Sequence, residues 1–284
     1  MTTIEDIVLS NDRRGITALR PHLPPDFCDQ AAKLILDNPG TAIIVTGFYI
    51  LTAKAPETDG PPGAIVIGKA LQGLGYKVVY VTDRYTAAVM SGSAGKGAEV
   101  VNFPITGVEE SKAFAKQTLA KYKPSVLIAI ERCGLTDEGK YRNMRGLEIT
   151  DFNAKLDYMF DGSVPSVGIG DGGNEIGMGN LASVVESTPS LVKKACVIKV
   201  DRLVITSVSN WGGYGLAAAI SLRKKKNLLL SVKEEQELLK RTVNLGAVDG
   251  MSAKPEYKAD GFTMEENSAL YQRLHDFLAS KGVK

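Results

Sequence analysis

Residues 168–180 combine six glycines with four polar side chains that can bind a ligand. They follow an apolar segment typical of a short buried strand. Glycines after a strand permit positive φ angles and close approach of the backbone to a ligand, whereas a simple turn needs only one or two of them. Asp171, Asn174, Glu175 and Asn180 could bind a metal ion, an amine or a hydroxyl. The stretch predicts a ligand site, and the alternative is a tight turn with solvated polar residues.

A second group of charged residues follows the apolar run at 125–130. Glu131 and Arg132 come directly after this run, and a polar segment then extends to residue 148. That segment contains Arg142, Asn143 and Arg145. Each charge alone is typical of a solvated loop, but paired acids and arginines beyond a buried strand favour recognition of a small charged molecule.

Apolar runs alternate with amphipathic segments along the chain, which predicts an α/β fold. We expect one domain over residues 1–284, with a three-layer, doubly wound, mostly parallel sheet flanked by helices and an irregular lead-in at 1–25. The predicted strands are 41–46, 77–82, 99–103, 125–130, 163–169 and 203–208. The predicted helices are 26–38, 63–74, 84–93, 108–122, 150–160, 181–186, 189–194, 216–223, 231–245 and 263–281.

The long loop at 47–62 leaves the carboxyl end of the first strand, where open α/β sheets bind ligands. Its Thr58 and Asp59 are candidate substrate-binding residues, and the following helix N-terminus could hold an anion. The loop contains neither a Walker A sequence nor GxGxxG. Asn210 and Gly212, two further candidate substrate-binding residues, belong to a similar glycine-rich turn after the last strand.

Composition limits the classes of function. The formal net charge of +2 is too small to indicate nucleic-acid binding. The three cysteines are widely spaced, which argues against a zinc site or a disulfide framework. No apolar run approaches the ~20 residues of a membrane span, so no membrane association is expected. We therefore expect a cytoplasmic protein whose partner is a small-molecule substrate, and leave open whether it forms a homo-oligomer.

Five motifs together resemble the D-glutamate cyclase family, in its C-terminal domain type and in a stand-alone, bacterial-like form. The matching segments spread over about residues 41–260 and are 56–63, 131–134, 139–145, 170–180 and 210–214. The resemblance implies a hydro-lyase that converts D-glutamate to 5-oxo-D-proline and water. Animal members carry a further N-terminal domain, which we do not expect in this chain.

The implied reaction needs a deprotonated amine, an electrophilic γ-carboxylate and a general acid for the departing water. We expect Arg132, Arg142 or Arg145 to bind a carboxylate. Asp171 or Glu175 would hold the ammonium group and act as base, with Glu131 as the other acid–base candidate.

Backbone groups and a metal ion offer two further means of catalysis. The N–H groups of Gly172, Gly173 and Gly212 could stabilise an oxyanion. Alternatively, a divalent ion on Asp171 and Glu175, Mg²⁺ or Mn²⁺, could polarise the γ-carboxylate. No cofactor is otherwise expected.

Two other classes of function remain open from the sequence. One is a nucleotide- or phosphate-dependent enzyme, which the strand–loop–helix order allows although its usual fingerprints are absent. The other is a non-catalytic protein that binds a small amino or hydroxy acid.

Overall fold

The computed structural model describes residues 2–284 and contains a six-stranded, fully parallel sheet with two short hairpins beside it. In chain order the strands are β1 (Thr41–Thr46), β2 (Tyr49–Ile50), β3 (Ala55–Pro56), β4 (Lys77–Thr82), β5 (Glu99–Asn102), β6 (Val126–Ile130), β7 (Ser166–Gly170), β8 (Arg202–Ile205), β9 (Lys258–Ala259) and β10 (Phe262–Thr263). The main sheet has the order β5-β4-β1-β6-β7-β8.

Nine α-helices lie within the same described range: α1 (Ile4–Val8), α2 (Phe27–Asp37), α3 (Pro61–Gln72), α4 (Ala87–Ser93), α5 (Val108–Tyr122), α6 (Ala182–Ser187), α7 (Ser209–Lys224), α8 (Val232–Asn244) and α9 (Met264–Ser280). Short 3₁₀ helices occupy Ile16–His22, Thr150–Phe152, Leu156–Met159 and Met178–Leu181. Among residues 2–284, no helix is both long and apolar enough to cross a membrane.

The strand order explains where a ligand site can form. The chain runs outward from β1 through β4 to β5 and then crosses back to β6 on the other side of β1. Right-handed crossovers in these two directions place α3 and α4 on one face and α5 on the other. The predicted doubly wound α/β fold is therefore confirmed. Its topological switch point lies between β1 and β6, at whose carboxyl ends such sheets bind ligands.

The middle of the sheet is buried on both faces. Ile44 of β1 lies between Tyr80 of β4 and Ile128 of β6, and all three side chains are inaccessible to solvent. Burial of such side chains stabilises the fold by roughly 1.5–3 kcal/mol each. The carboxyl ends of the central strands are thereby held in fixed relative positions.

Helices α3 and α7 approach each other very closely. A Cβ atom added at Gly213 would lie 2.9 Å from the Cα of Gly63. The predicted glycine turn before residue 216 is wrong, because α7 already begins at Ser209. Glycines in α7 permit tight helix packing, which outweighs their low helix propensity.

Two other helix predictions are wrong because tertiary contacts override the local pattern. Residues 150–160 form two 3₁₀ turns instead of one helix. The Ala154 carbonyl there accepts hydrogen bonds from the side chains of Arg132 and Asn153. Residues 189–194 form turns and bends.

The lead-in is more ordered than predicted. It contains α1, whose N-terminus has a capping box formed by Thr3 and Asp6, and a 3₁₀ helix. The prediction of an irregular segment at 1–25 is therefore wrong. By contrast, the helices predicted to start at 231 and 263 are present as α8 and α9, each with a capping box, formed by Ser231 and Glu234 in α8 and by Thr263 and Glu266 in α9.

Candidate active site

Six buried acidic side chains converge at the carboxyl edge of the sheet, around the switch point. Three of them lie in the segments that follow β6 and β7, two precede α3, and one lies in the turn between β9 and β10. They are Glu57, Asp59, Glu131, Asp171, Glu175 and Asp260. Such a concentration of desolvated carboxyl groups is typical of a functional site.

Asp59 and Asn210 connect the N-termini of α3 and α7. The Asp59 carboxylate accepts hydrogen bonds from the N–H groups of Ser209 and Asn210 at 2.8 and 2.7 Å. The Asn210 side-chain oxygen accepts hydrogen bonds from the N–H groups of Gly60 and Gly63 at 3.0 and 2.8 Å. Each residue thus satisfies otherwise unpaired donors at the start of the opposite helix. The two predicted binding residues therefore lie at the site, and both also connect the helix N-termini from which it is built.

Glu175 organises the glycine-rich loop. Its carboxylate accepts hydrogen bonds from the N–H groups of Asp171, Gly172 and Gly173 at 3.2, 2.8 and 2.8 Å. Gly173 has φ of +102°, a conformation that favours glycine. The N–H groups predicted to stabilise an oxyanion therefore already have an acceptor, and so does that of Gly212, which donates to the Val208 carbonyl.

Glu131 lies at the end of β6 with φ of +44°, which is unusual for a residue other than glycine. Its carboxylate accepts a hydrogen bond of 2.6 Å from the Ser209 hydroxyl at the start of α7. Strained backbone of this kind clusters at functional sites. Glu131 also lines the cavity described below, which agrees with its predicted position at the site.

Arg14, which the sequence did not indicate, carries positive charge into this acidic cluster. Its guanidinium forms ion pairs with Asp171 and, at 2.6 Å, with Asp260. The Asp12 carboxylate accepts hydrogen bonds from four backbone N–H groups between residues 14 and 17. This turn holds the segment so that Arg14 points inward, while 19% of its side chain stays exposed.

A cavity of about 270 Å³ opens beside the cluster. Its volume lies below the range typical of drug-sized ligands, which suits a small metabolite. Its charged lining consists of Arg14, Glu57, Glu131 and Arg145. Glu57 is 5% exposed, and its carboxylate accepts no hydrogen bond and forms no ion pair within residues 2–284. A carboxyl group so placed is available to a ligand.

The shared burial of these acids changes their protonation. Desolvation raises the pKa of Asp59 to about 7, and the neighbouring Asp260 adds to this effect. Burial also raises the pKa values of Glu57 and Glu131 well above their ordinary range, with further contributions from nearby carboxylates. Burial raises the pKa of Asp171 despite the opposing effect of Arg14. Asp59 can therefore exchange protons near neutral pH, and burial favours the protonated forms of the other three carboxyl groups.

The three predicted carboxylate-binding arginines occupy different environments. Arg132 is buried, forms an ion pair of 2.7 Å with Asp83 and donates hydrogen bonds to two backbone carbonyls, so both terminal nitrogens of its guanidinium are engaged in the fold. Arg142 pairs with Glu138 at 2.6 Å outside the cavity. Arg145 lines the cavity and has no side-chain partner within residues 2–284. Only Arg145 of the three is placed to meet a ligand in the cavity.

The remaining predicted residues support the walls. The Thr58 hydroxyl donates a hydrogen bond to the Lys258 carbonyl at 2.7 Å. The Asn143 side-chain oxygen accepts hydrogen bonds from two N–H groups of its own loop, and this residue lines the cavity. The Asn174 amide donates to the Arg142 carbonyl, while its side-chain oxygen is buried without a partner in the described chain. Gly212 lies within α7, where its missing side chain leaves room for Ile169.

Two overlapping groups of carboxylates have the proximity needed to bind a metal ion. Oxygen atoms of Asp59, Asp171 and Asp260 lie within 4.8 Å of one another, and so do those of Glu131, Asp171 and Glu175. Carboxylate oxygens are ligands that suit Mg²⁺ or Mn²⁺.

Three site residues escaped the sequence analysis: Arg14, Glu57 and Asp260. Glu57 adjoins the predicted Thr58 and Asp59, so its position offered a signal. Arg14 and Asp260 are far from the glycine-rich loop in sequence, and only tertiary packing brings them to it.

Comparison with known proteins identifies similar sequences. A profile of the family described as "D-glutamate cyclase-like, C-terminal" matches residues 4–275. The mitochondrial D-glutamate cyclase of Homo sapiens is 33% identical over 210 residues, which are 66% of this chain and 34% of that protein. The match thus spans about a third of the human relative. An exopolyphosphatase-related protein from Bacteroides fragilis aligns with 92% of this chain and 58% of its own, with a TM-score of 0.40 and 9% identity.

Proposed function

Because the chain belongs to the D-glutamate cyclase-like C-terminal family, we propose that it is a hydro-lyase that closes D-glutamate to 5-oxo-D-proline with loss of water. The observation that carries this proposal is the cavity, whose mostly apolar lining includes two desolvated glutamates and two arginines and whose volume suits a small charged molecule. A dicarboxylic amino acid carries the complementary charges. The D configuration of the substrate, the 5-oxoproline product and the cytoplasmic location of the protein stay predictions.

Each end of glutamate has a complementary group in the cavity. Arg145, which has no side-chain partner in the described chain, would bind the α-carboxylate as a bidentate clamp. Glu57 and Glu131 would hold the ammonium group. Arg14, already between two aspartates, would face the γ-carboxylate. This arrangement folds the substrate so that its amine meets the carbon of its own γ-carboxylate, and such intramolecular positioning supplies much of the rate.

The reaction moves two protons from nitrogen to the departing oxygen. Removal of the first proton frees the amine, which forms the new C–N bond to the carbon of the γ-carboxylate. Loss of the second proton from nitrogen accompanies protonation of the oxygen, and the C–O bond breaks to release water. The raised pKa values of Glu57 and Glu131 suit both groups to carry these protons.

The sequence-based roles of Asp171 and Glu175 stay predictions. Asp171 is paired with Arg14, and Glu175 accepts three backbone N–H groups, so we propose that they act mainly by shaping the site. A divalent ion, Mg²⁺ or Mn²⁺, bound to the carboxylates of Asp171 and Glu175 would make the γ-carboxylate of the substrate more electrophilic.

The geometry gives little support to the alternative of a nucleotide- or phosphate-dependent enzyme. The N-terminus of α3 is already capped by Asn210, and six carboxyl groups surround the edge where a phosphate would have to bind. A non-catalytic amino-acid binder would use the same cavity, and only turnover distinguishes it from an enzyme.

The test is to incubate chelator-treated protein with D-glutamate or L-glutamate, with and without Mn²⁺, and to separate 5-oxoproline by chiral chromatography. We expect product from the D form. Glu57→Gln should lower kcat by about 10²-fold or more, because it removes a proton carrier. Glu138→Gln, which changes an exposed glutamate outside the cavity, is the matched control and should retain activity.

Circular dichroism would establish that each variant is folded. Absence of product from either enantiomer in folded protein would overturn the proposed reaction. Glutamate-dependent thermal stabilisation without product would instead favour the binding protein. Full activity of Glu57→Gln would remove that residue from the mechanism.

A further inference from the structure

We propose that Asp59, Asp171 and Asp260 form a binding site for one divalent cation of the Mg²⁺ or Mn²⁺ type, and that Arg14 is its built-in competitor. These residues come from three separate parts of the chain: the start of α3, the end of β7 and the β9–β10 turn. Their carboxylate oxygens approach within 4.8 Å of one another. All three residues are at most 5% exposed.

Unsatisfied oxygens at this point indicate a missing ligand. Asp171 Oδ2 is buried and has no hydrogen-bond partner within residues 2–284. Asp260 Oδ2 also has no hydrogen-bond partner there, whereas Asp260 Oδ1 lies 2.6 Å from Arg14 Nη2 and is paired with it. Buried carboxylate oxygens without partners are costly, and a cation that binds both aspartates would remove this cost.

The charges of the side chains around this point also favour a bound cation. Six carboxyl groups surround the site, and Arg14 is the only cation that forms an ion pair with any of them among the described residues. Glu57 lies beside Asp59, and its side chain has no hydrogen bond or ion pair with any residue of the described range 2–284. A second positive charge would favour the ionised forms of these buried carboxyl groups, and oxygen-only ligands select a hard divalent ion.

Arg14 occupies the position where the cation would interact with two of its ligands. The guanidinium bridges Asp171 and Asp260, so both carboxylates are held together in the cation-free protein. Its side chain reaches them from the partly exposed cavity, which allows it to withdraw. Two positive charges a few ångströms apart repel, and Arg14 must therefore weaken cation binding.

The test measures Mn²⁺ binding directly, without substrate or turnover. Chelator-treated protein would be titrated with Mn²⁺ while free Mn²⁺ is followed by electron paramagnetic resonance. We expect one site, and at least about tenfold tighter binding in Arg14→Gln, because a competing charge is removed. Arg20→Gln makes the same charge change in the same N-terminal segment, with a partner, Asp6, outside the cluster, and should match the wild type.

Asp260→Asn tests the ligand itself, because asparagine tolerates the positive φ of +52° at this position. We expect it to weaken Mn²⁺ binding at least about tenfold in an otherwise folded protein. Equal Mn²⁺ affinity in wild type and Arg14→Gln would overturn the competitor role. Unchanged affinity in Asp260→Asn would overturn the site. Mn²⁺ binding without glutamate turnover would support this site and count against the proposed reaction.

Discussion

Arginine residues with similar positions in the sequence have opposite roles in the structure. Arg132 and Arg145 both belong to the polar segment after β6. Arg132 neutralises Asp83 in the interior and fastens two loops through their carbonyl groups. Arg145 is exposed at the cavity and has no such partner. The same side chain therefore contributes to the fold at one position and is available to a ligand at the other.

Substitution of these two arginines should separate stability from binding. Arg132→Met leaves Asp83 buried without its partner, so we expect the free energy of unfolding to fall by about 3–5 kcal/mol. Arg145→Gln should change it by no more than about 0.5 kcal/mol and should mainly raise KM for D-glutamate. Urea unfolding and steady-state kinetics measure the two effects. Wild-type stability in Arg132→Met would contradict the structural role.

At the scale of elements, two helix N-termini depend on each other. Asn210 at the start of α7 accepts the N–H groups of Gly60 and Gly63, and its amide donates to the Thr58 carbonyl at 3.1 Å. Asp59 makes the reverse connection to α7. The site is thus built on a junction between helices rather than on a flexible loop.

Loss of the hydrogen bonds at this junction should lower the stability of the fold. Asn210→Ala leaves the buried N–H of Gly63 unpaired and removes the donor to the Thr58 carbonyl, so we expect the free energy of unfolding to fall by about 2–3 kcal/mol. Asn244→Ala removes an exposed asparagine and serves as the control. Chemical denaturation of both variants measures the difference. An equally small loss in the two variants would show that water replaces the Asn210 contacts.

Elements that local sequence patterns determine could be predicted, whereas features that depend on contacts between distant residues could not. Strands β1 and β4 and helix α5 have the predicted bounds, because their apolar patterns and local ending signals agree. Residues 150–160 were predicted wrongly, because their backbone groups bond to distant side chains. Arg14 reaches Asp171 across most of the chain, and no local pattern encodes that contact. The sequence thus located the glycine-rich loop and Glu131 but missed the cation beside them.

At the scale of the whole molecule, buried acids make stability depend on pH. One of the buried carboxyl groups, that of Glu235, lies away from the cavity, where α7, α8 and α9 meet. Glu235 accepts hydrogen bonds from the hydroxyls of Tyr214 and Ser268 at 3.1 and 3.2 Å. Burial raises its pKa to about 7. Between the unfolded pKa and pH 7 the folded state therefore binds a proton that the unfolded state releases.

Because the folded state binds this additional proton, the last prediction is a loss of stability as pH rises. Stabilisation from protonated Glu235 is complete below its unfolded pKa and is lost as pH rises through about 7. Wild-type protein in chelator should therefore lose stability between pH 5 and 8. Glu235→Gln cannot ionise, so its loss should be smaller by up to about 3 kcal/mol.

Glu234→Gln is the matched control for this measurement. Hydrogen bonds from Ser231 lower the pKa of Glu234, so that carboxylate stays ionised throughout the range from pH 5 to 8. Its substitution weakens the α8 cap equally at every pH and should leave the pH dependence unchanged. Denaturant titrations at four pH values in this range would compare the three proteins. Parallel curves for wild type and Glu235→Gln would mean that Glu235 is already ionised in the folded state at pH 5.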